Sequence, residues 1–193
     1  VQTVPFGKKE MTMSDDHRVT RAANLIRTVL DFPKPGIRFR DITPLLGDVD
    51  AFGDVIDVMA EHAPANASVV CGVESRGFIF GTPLALRLGL GFVPIRKPGK
   101  LPGAVVEQSY DLEYGSTMLA IHTDALHPDD NVLLVDDLLA TGGTLQASKR
   151  LVEQLGATVA QIQVVLELVG QPGRDSLIAD GVQDLFAMIG IED

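Results

Sequence analysis

Val132-Leu133-Leu134-Val135-Asp136-Asp137-Leu138-Leu139-Ala140-Thr141-Gly142-Gly143-Thr144 is the stretch that decides the fold. Val132 to Val135 suit a strand buried on both faces, two adjacent carboxylates stand at its end, and a small-residue turn then opens a helix. Open α/β proteins bind ligands outside the carboxyl ends of parallel strands, so strand, acids and turn converge on one point. The turn Ala140, Thr141, Gly142, Gly143 and Thr144 can present successive backbone N–H groups to one phosphate, with the helix dipole behind them. Asp136 and Asp137 can accept hydrogen bonds from sugar hydroxyls or hold a phosphate-bound metal. One segment thus grips both ends of a ribose phosphate. Taken singly, an acid before a helix is often an N-cap and Gly-Gly often a turn. Caps alone do not account for the combination, and no Gly-Lys-Ser or Gly-Lys-Thr competes as a Walker motif.

Outward from this segment, strands and helices alternate. Ser68 to Val73 reads as a short buried strand, Gly77 to Leu88 as the following helix and Gly91 to Ile95 as the next strand, a β-α-β unit. Thr117 to Ile121 and Val159 to Leu168 read as further strands. Leu145, Leu151, Val152 and Leu155 form one face of the helix after the turn, with Gly156 as its stop. Upstream, Val19, Ala22, Leu25, Ile26, Val29 and Leu30 recur at helical spacing and predict a helix over His17 to Leu30; Phe52, Val55, Ile56 and Met59 mark another. Between these, Asp31 to Leu46 holds three prolines and a glycine and reads as irregular. The alternation predicts an α/β fold with a mostly parallel central sheet flanked by helices. Arg96 to Gly115 is too long for a turn, and its charges suit a flexible loop over a phosphate-bearing ligand. Residues 1–16 show no periodicity and are expected to be a loose N-terminal extension, with a single domain over 17–193.

At 193 residues the chain is long enough for one well-buried core and too short for two comfortable ones. A net charge of -10 disfavours nonspecific binding to nucleic acid or to an anionic membrane, so a polyanion must be met by local cations. The single cysteine, Cys71, lies in an apolar run and reads as a small buried hydrophobe, which removes disulfides and cysteine metal sites from consideration. The absence of a signal-peptide pattern and of a bilayer-length apolar stretch points to the cytoplasm. His17, His62, His122 and His127 show no triad or ligand spacing, and no protein-held metal site is expected.

The central segment closely resembles the phosphoribosyl-diphosphate (PRPP) motif of the type I phosphoribosyltransferases. Further segments resemble the adenine-specific members in the same order: Phe32-Pro33-Lys34-Pro35-Gly36-Ile37-Arg38-Phe39-Arg40-Asp41-Ile42-Thr43-Pro44, Glu74-Ser75-Arg76-Gly77-Phe78, Arg96-Lys97-Pro98-Gly99-Lys100-Leu101-Pro102-Gly103 and Ser109-Tyr110-Asp111-Leu112-Glu113-Tyr114-Gly115. The likeness runs from about His17 to Val169. It implies the type I fold with a small N-terminal hood and a flexible active-site loop, and the reaction of adenine with PRPP to give AMP and diphosphate, a purine-salvage step, with Mg2+ carried by PRPP.

By the same likeness each segment has a role. Asp136 and Asp137 bind ribose and Ala140 to Thr144 the 5′-phosphate. Arg76, Lys97 and Lys100 meet the pyrophosphate, and a cis peptide is expected at Glu74-Ser75. Phe39 stacks on adenine while backbone groups at Arg38 and Arg40 read its edge. Glu113 handles the proton at N7 and Tyr114 belongs to the same loop. Some relatives carry an aliphatic residue where Arg38 stands. The resemblance also implies a homodimer. Two alternatives share the fold: a transferase for another purine, or a PRPP-sensing regulator that binds nucleic acid. The adenine-type segments disfavour the first, and the acidic balance disfavours the second.

Overall fold

The computed structural model describes residues 2–4, 13–112 and 115–192. Its first elements are β1 (Gln2–Val4), α1 (Met13–Asn24), β2 (Arg27–Leu30), β3 (Arg38–Asp41), α2 (Thr43–Gly47) and α3 (Val49–His62). β1 and the first turn of α1 thus fall inside the segment read from sequence as a loose extension. The helix expected to run to Leu30 stops at Asn24. Beyond it Arg27 to Leu30 pairs antiparallel with β3, and Leu30 stands 66% exposed, so the apolar spacing there belongs to a hairpin and not to a helix face. β2 and β3 form a separate two-stranded sheet. α3 is capped by Asp48, whose carboxylate accepts from the Ala51 N–H at 2.9 Å, and buries Val55, Ile56 and Met59.

The main body continues with β4 (Val69–Val73), α4 (Arg76–Leu88), β5 (Gly91–Ile95), β6 (Val105–Leu112), β7 (Gly115–His122), β8 (Asn131–Leu139), α5 (Gly143–Gln154), β9 (Thr158–Val169), α6 (Gly173–Ala179) and β10 (Leu185–Glu192). The central sheet has the order β1-β10-β9-β8-β4-β5. Strands β10 to β5 are parallel and β1 joins the edge antiparallel. This is the α/β architecture expected from the alternation. Among the described residues no helix is long and apolar enough to cross a membrane.

Burial on both faces explains the continuous apolar runs of β4 and β8. Val69, Cys71 and Val73 join Val132, Leu134 and the inner side of α5 in one core. Val70, Leu133 and Val135 join α3 and α4 in the other. Leu138 then packs on the same face as Val135 and Leu139 on the opposite one, so strict alternation breaks at Asp136 and Asp137. Cys71 is fully buried, and its burial together with the charge of Asp130 pushes the thiol pKa up, as a small core hydrophobe requires.

The Arg96 to Gly115 stretch is less irregular than its length and punctuation predict. Val105–Leu112 is a strand of a β6–β7 hairpin. Val106 and Tyr110 pack on the core beside α5, and this side-by-side burial is what single-strand reading of a polar segment misses. The peptide bond Glu74-Ser75 is cis, as the resemblance implies.

Candidate active site

At the carboxyl ends of β4 and β8 lies a cavity of about 340 Å³, bounded by the 74–76 turn, Lys97, Tyr110, the acid pair and the 140–145 turn. Its floor is the acid pair. Asp136 and Asp137 are buried, and the Asp137 N–H donates to Oδ1 of Asp136 at 2.9 Å. Burial first, and then the neighbouring Asp137 charge, holds the Asp136 carboxyl well above its ordinary value of 3.8. Burial also raises Asp137, against the pull of the Arg76 guanidinium. Arg76 Nε lies 3.0 Å from Asp137 Oδ2, yet that oxygen is buried without a hydrogen-bond partner of good geometry. A pair so placed favours a ligand that brings donors or positive charge.

α4 reaches this floor because Gly77 has no side chain: a Cβ there would stand 2.8 Å from the Val135 carbonyl and 3.1 Å from Asp136 Oδ1. That fixes Arg76 at the helix start, between the acids and the β2–β3 hairpin. The Arg76 guanidinium lies 5.5 Å from the centre of the Phe39 ring, and Phe32 meets the same ring edge-on at 5.1 Å.

Opposite the acids, Gly142 takes φ +86° and stands as N-cap of α5 without any side-chain cap, so the first N–H groups of that helix face the cavity edge unpaired within the helix. This turn is pressed from behind by the start of α6. A Cβ on Gly173 would lie 2.2 Å from the Ala140 carbonyl oxygen, and one on Gly142 would meet Gly173 O at 3.0 Å. Glu167 and Arg174 form a bidentate ion pair at 2.7 and 2.5 Å just beside this contact.

Lys97 lines the cavity, and its backbone N–H donates to Glu74 at 3.0 Å. Burial alone would raise Glu74, but the Lys97 N–H and the Arg96 guanidinium, with the Lys100 charge, hold its carboxyl below the ordinary value. Lys100 itself stands outside the cavity wall, with its carbonyl accepting from Arg96 Nη1 at 3.1 Å. Arg38 is exposed on β3, and Arg40 is buried, its guanidinium donating to Thr28 Oγ1 at 2.6 Å and to the Glu192 carbonyl at 3.0 Å. Glu113 and Tyr114 lie outside the described residues. Sequence reading gave no role to Leu138 or Tyr110, both of which line the cavity. Leu138 follows the acids directly, beyond the strand expected over Val132 to Val135, and Tyr110 lies in the Ser109 to Gly115 segment with no partner visible in the sequence.

A parallel sheet with an acid pair and an open helix start at its carboxyl edge defines a phosphoribosyltransferase, and the phosphoribosyl transferase domain family matches residues 50–185. Adenine phosphoribosyltransferase 1 of Triticum aestivum is 50% identical over 178 residues, 92% of this chain and 97% of its own. The adenine phosphoribosyltransferase of Solidesulfovibrio magneticus is 54% identical over 163 residues, 84% and 95% of the two chains. Among solved structures, the adenine phosphoribosyltransferase of Thermoanaerobacter pseudethanolicus is similar with a TM-score of 0.86 at 46% identity, covering 90% of this chain and 99% of that one. The Saccharomyces cerevisiae enzyme, complexed with D-2,5-dideoxy-2,5-imino-altritol 1,6-bisphosphate and adenine, is similar at 0.85 and 36% identity over 90% and 99% of the two chains. The chain belongs to the adenine phosphoribosyltransferase family.

Proposed function

We propose that the protein transfers the 5-phosphoribosyl group of PRPP to adenine, giving AMP and diphosphate. The observation that carries this reading is one cavity in which a buried acid pair, a cationic helix start at Arg76 and an uncapped helix start at Gly142 face one another. The bond from the anomeric carbon to the diphosphate oxygen breaks and the bond to adenine nitrogen forms, with positive charge building on the ribose ring between the two events. Asp136 and Asp137 hold the ribose hydroxyls and stabilise that charge. Arg76 and Lys97 stabilise the charge on the leaving diphosphate, with Lys100 adding to the local positive field. The 140–144 turn anchors the 5′-phosphate.

Phe39 offers a ring face for the purine, kept upright by Phe32, and backbone groups at Arg38 and Arg40 read its edge. Reading by backbone suits an Arg38 side chain that is exposed and an Arg40 side chain already engaged elsewhere. Glu113 follows β6 in the chain and takes the role of proton carrier at the purine, with Tyr114 beside it in the loop.

Among the described residues there is no cluster of three or more His, Cys, Asp or Glu side chains that would cage a metal. Two buried carboxylates, one with an unsatisfied oxygen, instead fit an ion that arrives on its substrate, since Mg2+ is commonly held by one or two carboxylates plus phosphates. Asp136 and Asp137 would hold it, and its contribution when bound is to neutralise the diphosphate. A cytoplasmic homodimer completes the reading, supported by the family likeness. A panel of adenine, hypoxanthine, guanine and xanthine with PRPP and Mg2+ tests it. Adenine is expected to be preferred by orders of magnitude, and comparable rates with hypoxanthine or guanine would refute the assignment.

A further inference from the structure

We propose that Tyr110 binds the 5′-phosphate of the sugar substrate, bringing a hydroxyl donor from the β6–β7 hairpin to the start of α5. The inference rests on the reading of the 140–144 turn as the phosphate site and deepens it. Tyr110 lines the cavity, and Thr144 Oγ1 donates to its hydroxyl at 3.2 Å. A hydrogen bond between two hydroxyls uses one of their two protons. The other proton finds no acceptor among the described residues and is left for a ligand in the cavity. The Gly142 cap leaves the first α5 N–H groups open as well, since the helical bonds begin with the Gln146 N–H donating to the Gly142 carbonyl at 2.9 Å. Hydroxyls and open amides therefore converge on one spot, as a phosphate monoester needs: it carries nearly two charges and three acceptor oxygens.

Tyr110 is held there, not swung in. It pairs with Thr117 across the hairpin and packs on the core, and the same strand is tied to α5 again where Gln154 Nε2 donates to Gln108 Oε1 at 2.8 Å. The cations that would face the diphosphate, Arg76 and Lys97, belong to other turns. Tyr110 thus serves the phosphate end alone, and through it the hairpin touches the substrate at a point distant in chemistry from the transferred bond.

The test is calorimetric titration of wild type and Tyr110→Phe with ribose 5-phosphate, ribose and magnesium diphosphate, together with steady-state kinetics for adenine and PRPP. Tyr110→Phe is expected to weaken ribose 5-phosphate and to raise the KM for PRPP by about 10-fold or more, the scale of one hydrogen bond to a charged acceptor. Diphosphate affinity, the KM for adenine and the melting temperature should stay as in wild type. Unchanged ribose 5-phosphate affinity, or an equal loss for diphosphate, overturns the proposal. If Tyr110→Phe also loosens the hairpin, Gln154→Ala separates the two effects: it cuts the other tie and spares the hydroxyl. Retained ribose 5-phosphate affinity in Gln154→Ala supports phosphate binding by Tyr110, and an equal loss in both variants overturns it. A wild-type protein that binds ribose 5-phosphate no better than ribose would instead refute the phosphate reading of the turn.

Discussion

Asp137 joins opposite demands in one side chain: burial that favours its neutral form and an Arg76 contact that favours its charge. The acid pair titrates above the ordinary carboxylate value, and sugar hydroxyls or a phosphate-bound cation need it ionised. PRPP binding should therefore weaken as pH falls through the raised pKa of the pair, at a pH above 3.8. Stability runs the other way. In the window between 3.8 and the raised folded value the folded state holds more protons than the unfolded one, so this pair's contribution to stability falls as pH rises. Asp137→Asn should abolish most PRPP use while leaving the circular dichroism spectrum and the melting transition cooperative. It should also move the acid limb of the pH profile of kcat/KM for PRPP to lower pH, because Asp136 then titrates without the Asp137 charge beside it. A variant with normal PRPP kinetics would return the pair to a capping role. Glu113→Gln should lower turnover by about 10²-fold, the scale of a lost general acid or base, with PRPP affinity nearly unchanged. Near-full turnover would remove Glu113 from the chemistry.

The elements differ in how openly the sequence displays them. β8, the acids and the turn are local, so their apolar run, charges and glycines are all legible within one segment. The β2–β3 hairpin was hidden because Val29 and Leu30 continue the helical spacing of α1, and only pairing with β3 reveals them as strand. β6 was hidden for the same reason: its partner strand and the α5 face that covers it are what make a polar stretch regular. Tyr110 could not be assigned without knowing that Thr144 lies beside it, 34 positions along the chain. Least legible was α6, whose sequence shows a turn-like Gln-Pro-Gly and no strong apolar face, although it forms the back wall of the phosphate turn. There the Glu167–Arg174 pair is largely buried, with side-chain exposures of 7% and 15%. Arg174→Met should destabilise the fold by about 3 kcal/mol by leaving a buried carboxylate uncompensated, and adding Glu167→Leu should recover most of it. Denaturant midpoints of both variants would decide this, and a double variant no better than the single one would count against the pair as the cause.

Across the whole molecule the charge is uneven. A chain with net charge -10 sets Arg76, Arg96, Lys97 and Lys100 around one end of its sheet, where an anionic substrate must arrive. Local cations in an acidic body make the encounter with PRPP sensitive to screening while leaving neutral adenine indifferent. Raising the ionic strength from low to physiological should lower kcat/KM for PRPP several-fold and leave the KM for adenine unchanged. A flat salt response would show that the acidic remainder cancels the local field.

The contact of Gly173 with Ala140 also couples the phosphate turn to the C-terminal part of the chain. The turn that opens α5 is backed by a segment that follows β9 in the chain, so its shape is written partly in distant residues. Ligand held by that turn should accordingly slow amide hydrogen exchange in residues 170–176, which do not line the cavity, to nearly the extent it does in residues 140–145. Protection of this kind would make the sugar substrate a reporter on the completion of the C-terminal third of the chain.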